Sequence, residues 1–203
     1  MRELLLVRHG FAGSNRDEVA SSTVPGEGLT PEGIEQARAL SLVLADEAID
    51  VALTSRLART QETLALVLDG REIPVVVEAE LDEIRFGGFD GGPLEAYRAW
   101  AASHSPDEPA PGGGESRAQA AARFARGLRL LLARPEAQVL AVGHALAIRY
   151  VIDAVDGRPP AARMAPIEHA FPYRLGRDDA ERAAALLEEW STAPRFRDPD
   201  DHG

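Results

Sequence analysis

Short, uninterrupted apolar runs recur along this chain, at Leu4-Leu5-Leu6-Val7, Val51-Ala52-Leu53-Thr54, Val75-Val76-Val77 and Val139-Leu140-Ala141-Val142. A strand that faces water on one side alternates apolar and polar residues; an unbroken run belongs to a strand buried on both faces. The segments between these runs carry helical spacing. Thr30-Pro31 is a start signal, with Thr30 placed to cap and Pro31 at the first helical position, and Ile34, Ala37, Leu40, Ser41 and Leu44 follow on one face. Ser55 is placed to cap a second helix carrying Leu57, Leu64 and Leu68. Further helices are expected over Pro93–Ala102, with Leu94, Tyr97 and Trp100 inward, over Glu115–Ala133, and from about Leu146 to Val155. Strands alternating with helices predict an α/β chain: three layers, with a mostly parallel central sheet between helices.

One domain, residues 1–203, is expected from the length, with no internal repeat. The Pro/Gly-rich segment His104–Gly114 reads as a mobile surface loop, and the polar tail after about Pro194 as frayed. Ala180–Trp190 is ambiguous: its composition favours helix, yet it follows Phe171–Leu175, which is able to pair in a hairpin.

Composition narrows the function. There is no cysteine, so disulfides, thiolate metal sites and a cysteine nucleophile are excluded. Met1–Val7 is too short for a secretory signal, and a cytoplasmic protein is expected. The net charge of −11 disfavours nucleic acid and anionic membranes as partners. All 22 basic residues are arginine, mostly a compositional bias, although a planar fork that is always charged suits oxyanions better than lysine does.

In parallel sheets, ligands bind at the carboxyl ends of the strands. Arg8-His9 directly follows the first apolar run and His144 the fourth, so the two histidines can share one crevice. His104, His169 and His202 have no motif around them. No third metal ligand stands at a useful spacing, and G-x-S-x-G, Walker and G-x-G-x-x-G patterns are absent.

Arg8-His9-Gly10 with Asn15 resembles the signature of the histidine phosphatase superfamily, which includes the phosphoglycerate mutases. The resemblance continues through Leu29-Thr30, Gly33 and Gln36-Ala37, through Ser55-Arg56-Leu57-Ala58-Arg59-Thr60, and through Leu81-Asp82-Glu83 with Phe86–Gly91. Gly113-Gly114-Glu115-Ser116 and Val142-Gly143-His144 with Ile148-Arg149 complete six ordered segments. It implies a phosphoglycerate mutase-like fold and a phosphomonoester hydrolase that needs no cofactor and no metal. It also implies a role for each matching residue. His9 is the nucleophile that becomes a phosphohistidine, its other ring nitrogen donating to a carbonyl. Arg8, Arg59, His144 and Asn15 hold the phosphoryl group. Glu83 is the general acid and base, with a raised pKa. Phe11, Arg85 and Phe86 are candidate substrate contacts; Arg149 and Glu115 have no assigned role.

Departures from the family pattern favour a phosphatase. The stretch between Gly92 and Gly113 is short and holds one basic residue, Arg98, beside Glu95, Asp107 and Glu108, where the mutases carry a longer basic insertion. A mutase-type isomerase and a binding protein that has lost turnover remain the alternatives. The expected partner is a small phosphorylated substrate, its identity open. The oligomeric state is also left open, a homodimer included.

Overall fold

A computed structural model describes residues 1–197. In chain order the elements are β1 (Glu3–Arg8), α1 (Gly13–Arg16), α2 (Pro31–Val43), β2 (Val51–Thr54), α3 (Ala58–Leu68) and β3 (Val75–Val77). Two 3-10 turns, Ala79–Leu81 and Gly87–Phe89, lead to α4 (Leu94–Ser103), α5 (Arg117–Leu132), β4 (Gln138–Gly143), α6 (Ala145–Val155), β5 (Pro172–Gly176) and α7 (Arg177–Thr192). The sheet order is β3-β2-β4-β1-β5; β5 alone runs antiparallel, along β1.

The apolar runs divide as a two-sided strand must. Leu4, Leu6, Val139 and Ala141 face a core built with α5, α6 and α7. Leu5, Val7, Leu140 and Val142 face a second core built with α2 and α3. The result is the expected three-layer α/β/α arrangement. Because α2 lies on one face and α6 on the other, the chain leaves adjacent strands β1 and β4 in opposite directions. A crevice therefore opens between their carboxyl ends, the position where open α/β sheets take ligands. The parallel register sets Arg8 beside Gly143, so His9 and His144 emerge side by side, with His9 N donating to the Gly143 carbonyl at 3.1 Å.

Capping follows the sequence at two helices. Gly33 N donates to Thr30 Oγ1 at 3.1 Å, and Ser116 forms a reciprocal capping box with Gln119. It departs at α3, where Leu57 holds the cap position and Ser55 is drawn off to a buried partner in the crevice. Ala180–Trp190 lies within α7, while Phe171–Leu175 feeds β5, which pairs with β1 instead of forming a hairpin. The 104–114 segment does not hang free. Gly88 N donates to the Pro111 carbonyl at 2.6 Å and Ala118 N to the Pro106 carbonyl at 2.9 Å, and Gly87, at φ +59°, leaves no room for a Cβ against Pro111. The start of the tail is also anchored: Arg197 N donates to the Pro160 carbonyl at 3.1 Å, and Trp190 Nε1 to the Arg195 carbonyl at 2.7 Å. The rest of the tail, with His202, lies outside the described residues.

Candidate active site

The strand end carrying Arg8-His9-Gly10 is pressed against the start of α2, where a Cβ on Gly10 would stand 2.6 Å from the Gly33 carbonyl oxygen. Thr63, on α3, accepts from Gly10 N at 2.9 Å and donates to the Arg59 carbonyl at 2.6 Å. That tie fixes α3 against β1 and brings Arg59 to His9. The His9 side chain is buried, with Nδ1 2.8 Å from the Gly10 carbonyl oxygen. A carbonyl can only accept, so Nδ1 carries the proton and Nε2 keeps its lone pair. Nε2 faces Arg59, whose Nε lies 3.2 Å away. Burial first, then the charges of Arg59 and Arg8, hold the His9 pKa well below 6.5.

His144 is fully buried, its ring centroid 5.3 Å from that of His9. Arg59 Nη2 donates toward its Nδ1 at 3.3 Å, which places the His144 proton on Nε2. From Nε2 a hydroxyl relay runs to Ser55 Oγ at 2.9 Å, on to Thr60 Oγ1 at 2.7 Å, and ends on the Leu57 carbonyl at 2.8 Å. Burial, reinforced by Arg59, keeps this imidazole neutral as well.

Arg8 donates from Nη1 to the Ile167 carbonyl at 2.6 Å, while its buried Nε has no partner among the described residues. Burial lowers its pKa to about 10, with the Glu83 carboxylate opposing, so it stays charged at neutrality. Asn15 lines the same cavity; its Oδ1 accepts from Ala12 N at 3.0 Å, leaving the amide NH2 for another partner.

Glu83 reaches the cavity from the opposite wall. Its Oε1 accepts from Ile84 N at 2.9 Å, and Oε2 lies 3.8 Å from His144 Nδ1. Burial raises its pKa above 4.5 against the opposing charges of Arg59 and Arg8. The loop that carries it is pinned from beneath. Arg123 donates to the carbonyls of Asp82 at 2.8 Å and Glu83 at 3.1 Å, and is itself held by the Glu115 carboxylate at 2.8 Å. Glu115 also accepts from Arg85 N at 2.9 Å. From the other side, Arg56 grips the Asp82 carboxylate.

Arg8, His9, Asn15, Arg59 and Glu83 therefore line one cavity, with His144 immediately beneath. Of the three candidate substrate contacts, Phe86 lines it and stacks edge-on against Tyr97. Phe11 and Arg85 do not. The Phe11 ring turns away onto His169, and Arg85 extends toward Glu115 at 3.4 Å. Arg149 binds the carbonyls of Ala165 and Pro166, bracing the segment that bears Ile167.

Four side chains of this region were not foreseen. Ser55 had a signal, since it opens the Ser55–Thr60 motif. His169 had none, yet its Nδ1 donates to the His9 carbonyl at 2.8 Å. Tyr97 was expected inward, but not as part of the cavity wall. Arg117 comes from the start of α5, beyond the Gly92–Gly113 stretch in which Arg98 is the one basic residue. Among the described residues no three His, Asp or Glu side chains converge as metal ligands, and no helix is long and apolar enough to cross a membrane.

The profile of the histidine phosphatase superfamily, branch 1, matches residues 4–189. The chain belongs to the histidine phosphatase superfamily. Within the superfamily it is 41% identical over 87 residues to an adenosylcobalamin/alpha-ribazole phosphatase of Escherichia coli, a match covering 43% of this chain and 42% of that protein. The Salmonella typhimurium counterpart is matched over 52% of its length, so the chain spans about half or less of these relatives. A protein named 2,3-bisphosphoglycerate-dependent phosphoglycerate mutase, from Methylobacterium radiotolerans, is 32% identical over 93% of this chain and 96% of its own. Among solved structures, the alpha-ribazole phosphatase of Shigella flexneri superposes with a TM-score of 0.73 at 28% identity, covering 85% of this chain and 89% of that one.

Proposed function

We propose that this chain is a phosphomonoester hydrolase that works through a phosphohistidine on His9. The observation that carries the reading is the state of that imidazole. Its Nδ1 proton is committed to Gly10, its Nε2 lone pair is free of a proton, and cationic forks border it.

In the first step the Nε2 lone pair attacks phosphorus. The phosphorus–oxygen ester bond breaks, and the leaving oxygen takes the Glu83 carboxyl proton. Arg59 shifts its Nε and Nη2 edge from the imidazoles to the phosphoryl oxygens, and Arg8 and the Asn15 amide donate alongside it. An incoming dianion offsets the Arg59 charge that, together with burial, keeps His144 neutral, so His144 takes up a proton from solvent as the phosphate binds and donates it from Nδ1 to a phosphoryl oxygen. In the second step water attacks phosphorus and gives a proton to the Glu83 carboxylate. The phosphorus–nitrogen bond breaks, inorganic phosphate leaves and the lone pair returns to Nε2.

A second reading, mutase-type isomerisation, has one observation in its favour: the near full-length likeness to the Methylobacterium radiotolerans protein. The two readings share His9 and part on the fate of the phosphoryl group. Release of inorganic phosphate from p-nitrophenyl phosphate, with no interconversion of 3- and 2-phosphoglycerate in the presence of the bisphosphate, supports the hydrolase. Interconversion faster than phosphate release overturns it.

A further inference from the structure

The peptide between His9 and Gly10 decides where the His9 ring points. His9 Nδ1 donates to the Gly10 carbonyl at 2.8 Å, so the ring direction depends on how residue 10 is set relative to residue 9. Both polar ends of that peptide are tied by side chains instead of by the sheet. Its N–H, on Gly10, donates to Thr63 Oγ1 at 2.9 Å, and its carbonyl, on His9, accepts from His169 Nδ1 at 2.8 Å. No other donor meets the buried His9 carbonyl among the described residues.

His169 reaches this carbonyl because the β5 ladder stops short of it. The pairing of β5 with β1 ends where Val7 stands opposite Pro172. Just before β5 the chain bends at Ala170, whose φ of +47° is a left-handed conformation that alanine rarely adopts. The bend keeps the chain bonded to the end of β1. Ala170 N donates to the Arg8 carbonyl at 2.9 Å, and Arg8 Nη1 donates back to the Ile167 carbonyl at 2.6 Å. Arg149 braces the start of this segment from α6 and is itself steadied by the buried carboxylate of Asp153 at 3.6 Å. The half-buried His169 ring stands edge-on to both His9 and Phe11. Burial, with the charge of Arg8, lowers its pKa to about 4, so at neutrality it carries a single N–H, and the His9 carbonyl takes it.

We infer that His169 is a positioning residue for the His9 nucleophile: with Thr63 on the opposite side it locks the His9–Gly10 peptide plane, and through the Gly10 carbonyl it maintains the Nδ1–H tautomer and the direction of the Nε2 lone pair. The inference rests on the reading of His9 given above. His169 does not line the His9 cavity, so it acts on the attack and not on the binding of phosphate.

The test compares His169→Asn with His169→Phe. Asparagine Nδ2 branches from Cγ as histidine Nδ1 does, restoring the donor without the ring; phenylalanine keeps a ring against Phe11 without the donor. Packing alone ranks phenylalanine above asparagine, and positioning ranks them the other way. In His169→Phe, kcat/KM on p-nitrophenyl phosphate falls roughly 10- to 100-fold, the scale of loss from a misplaced reacting group, while the inhibition constant of inorganic phosphate stays within about twofold. His169→Asn keeps kcat/KM within about threefold of the parent. Nuclear magnetic resonance of the ring nitrogens shows His9 as Nδ1–H in the parent and in His169→Asn. In His169→Phe the Nδ1–H population falls, because Arg59 is then the main hold on the tautomer. Full activity in His169→Phe, equal losses in both variants, or a loss matched by weaker phosphate inhibition overturns the inference. Failure of the His9 reading looks different: the parent then does not hydrolyse p-nitrophenyl phosphate, while the ring-nitrogen spectra of the three proteins still decide whether His169 sets the His9 tautomer.

Discussion

Arg59 directs its Nε onto Nε2 of His9 from 3.2 Å, occupying the lone pair that the proposed chemistry needs. The same guanidinium reaches His144 Nδ1 and the Ser21 carbonyl through Nη2. One fork therefore holds both imidazoles in their reactive tautomers, and it is placed to pass to a phosphoryl group without a large movement. Lysine cannot do this, because a point charge has no second donor in a fixed plane.

Replacing Arg59 by lysine should lower kcat/KM on phosphomonoesters about 100- to 1000-fold, the range seen when one preorganised donor to a developing oxyanion is lost. Arg59→Met adds a diagnostic. Arg59 helps hold the His9 pKa down, so removing its charge moves the acid limb of the kcat/KM profile to higher pH. Steady-state profiles of both variants check this; a limb that stays in place contradicts the electrostatic role.

The pH profile of the unaltered protein follows from two directions. Activity requires His9 unprotonated, and its lowered pKa puts the loss on acidification well below 6.5. It also requires Glu83 protonated, and its raised pKa puts the loss on alkalinisation above 4.5. A bell-shaped kcat/KM profile is expected. Glu83→Gln removes the alkaline limb. The loss in Glu83→Gln should be about 100- to 10,000-fold on alkyl phosphates, whose leaving oxygen needs a proton, and much smaller on p-nitrophenyl phosphate. Equal losses on both would remove Glu83 from the role of acid.

How much of this was legible in the chain depends on the range of the interaction. The strands, the two-sided cores and the pairing of His9 with His144 follow from apolar runs and from the rule that ligands sit at strand ends, so residues 4–9 and 139–144 sufficed. Thr30 and Ser116 cap where a local rule places them. Ser55 breaks the same rule because a partner distant in sequence, His144, outcompetes the helix end for its hydroxyl. His169 and Arg117 were invisible for a related reason. Each enters the site through the packing of a whole element, β5's approach in one case and α5's first turn in the other, and neither leaves a local pattern. The 104–114 loop looked mobile by composition, but backbone hydrogen bonds to residues 88 and 118 are not encoded in composition.

Loss of the Ser55 hydroxyl isolates the relay beneath His144. Ser55→Ala removes the acceptor for Nε2–H, so the tautomer is held by Arg59 Nη2 alone, at 3.3 Å from Nδ1, and the Nε2–H population falls. One hydrogen bond of about 1 kcal/mol corresponds to a roughly fivefold loss in kcat/KM. Nuclear magnetic resonance of the imidazole nitrogens gives the tautomer directly; an unchanged Nε2–H population in Ser55→Ala would contradict the relay.

Beneath the Glu83 loop, the Glu115–Arg123 pair is buried on both sides. Burial raises the Glu115 pKa, but the Arg123 hydrogen bond and charge outweigh it, and the net shift is downward. Its contribution to stability is therefore fully present above the unfolded carboxylate pKa of about 4.3 and is lost as pH falls through the lower folded value. Glu115→Ala leaves Arg123 charged and unpaired, which costs about 3–5 kcal/mol. Urea unfolding at neutral pH measures it; a variant within about 1 kcal/mol of the parent contradicts a buried, unscreened pair.

The central claim is a covalent bond between phosphorus and His9 Nε2. Brief exposure to a phosphorus-labelled substrate, an acid quench too short to cleave the acid-labile bond, and peptide mapping under alkaline conditions locate it. The expected result is base-stable, acid-labile label on the peptide containing His9, absent from His9→Ala. Label on a serine, or undiminished turnover by His9→Ala, contradicts the account.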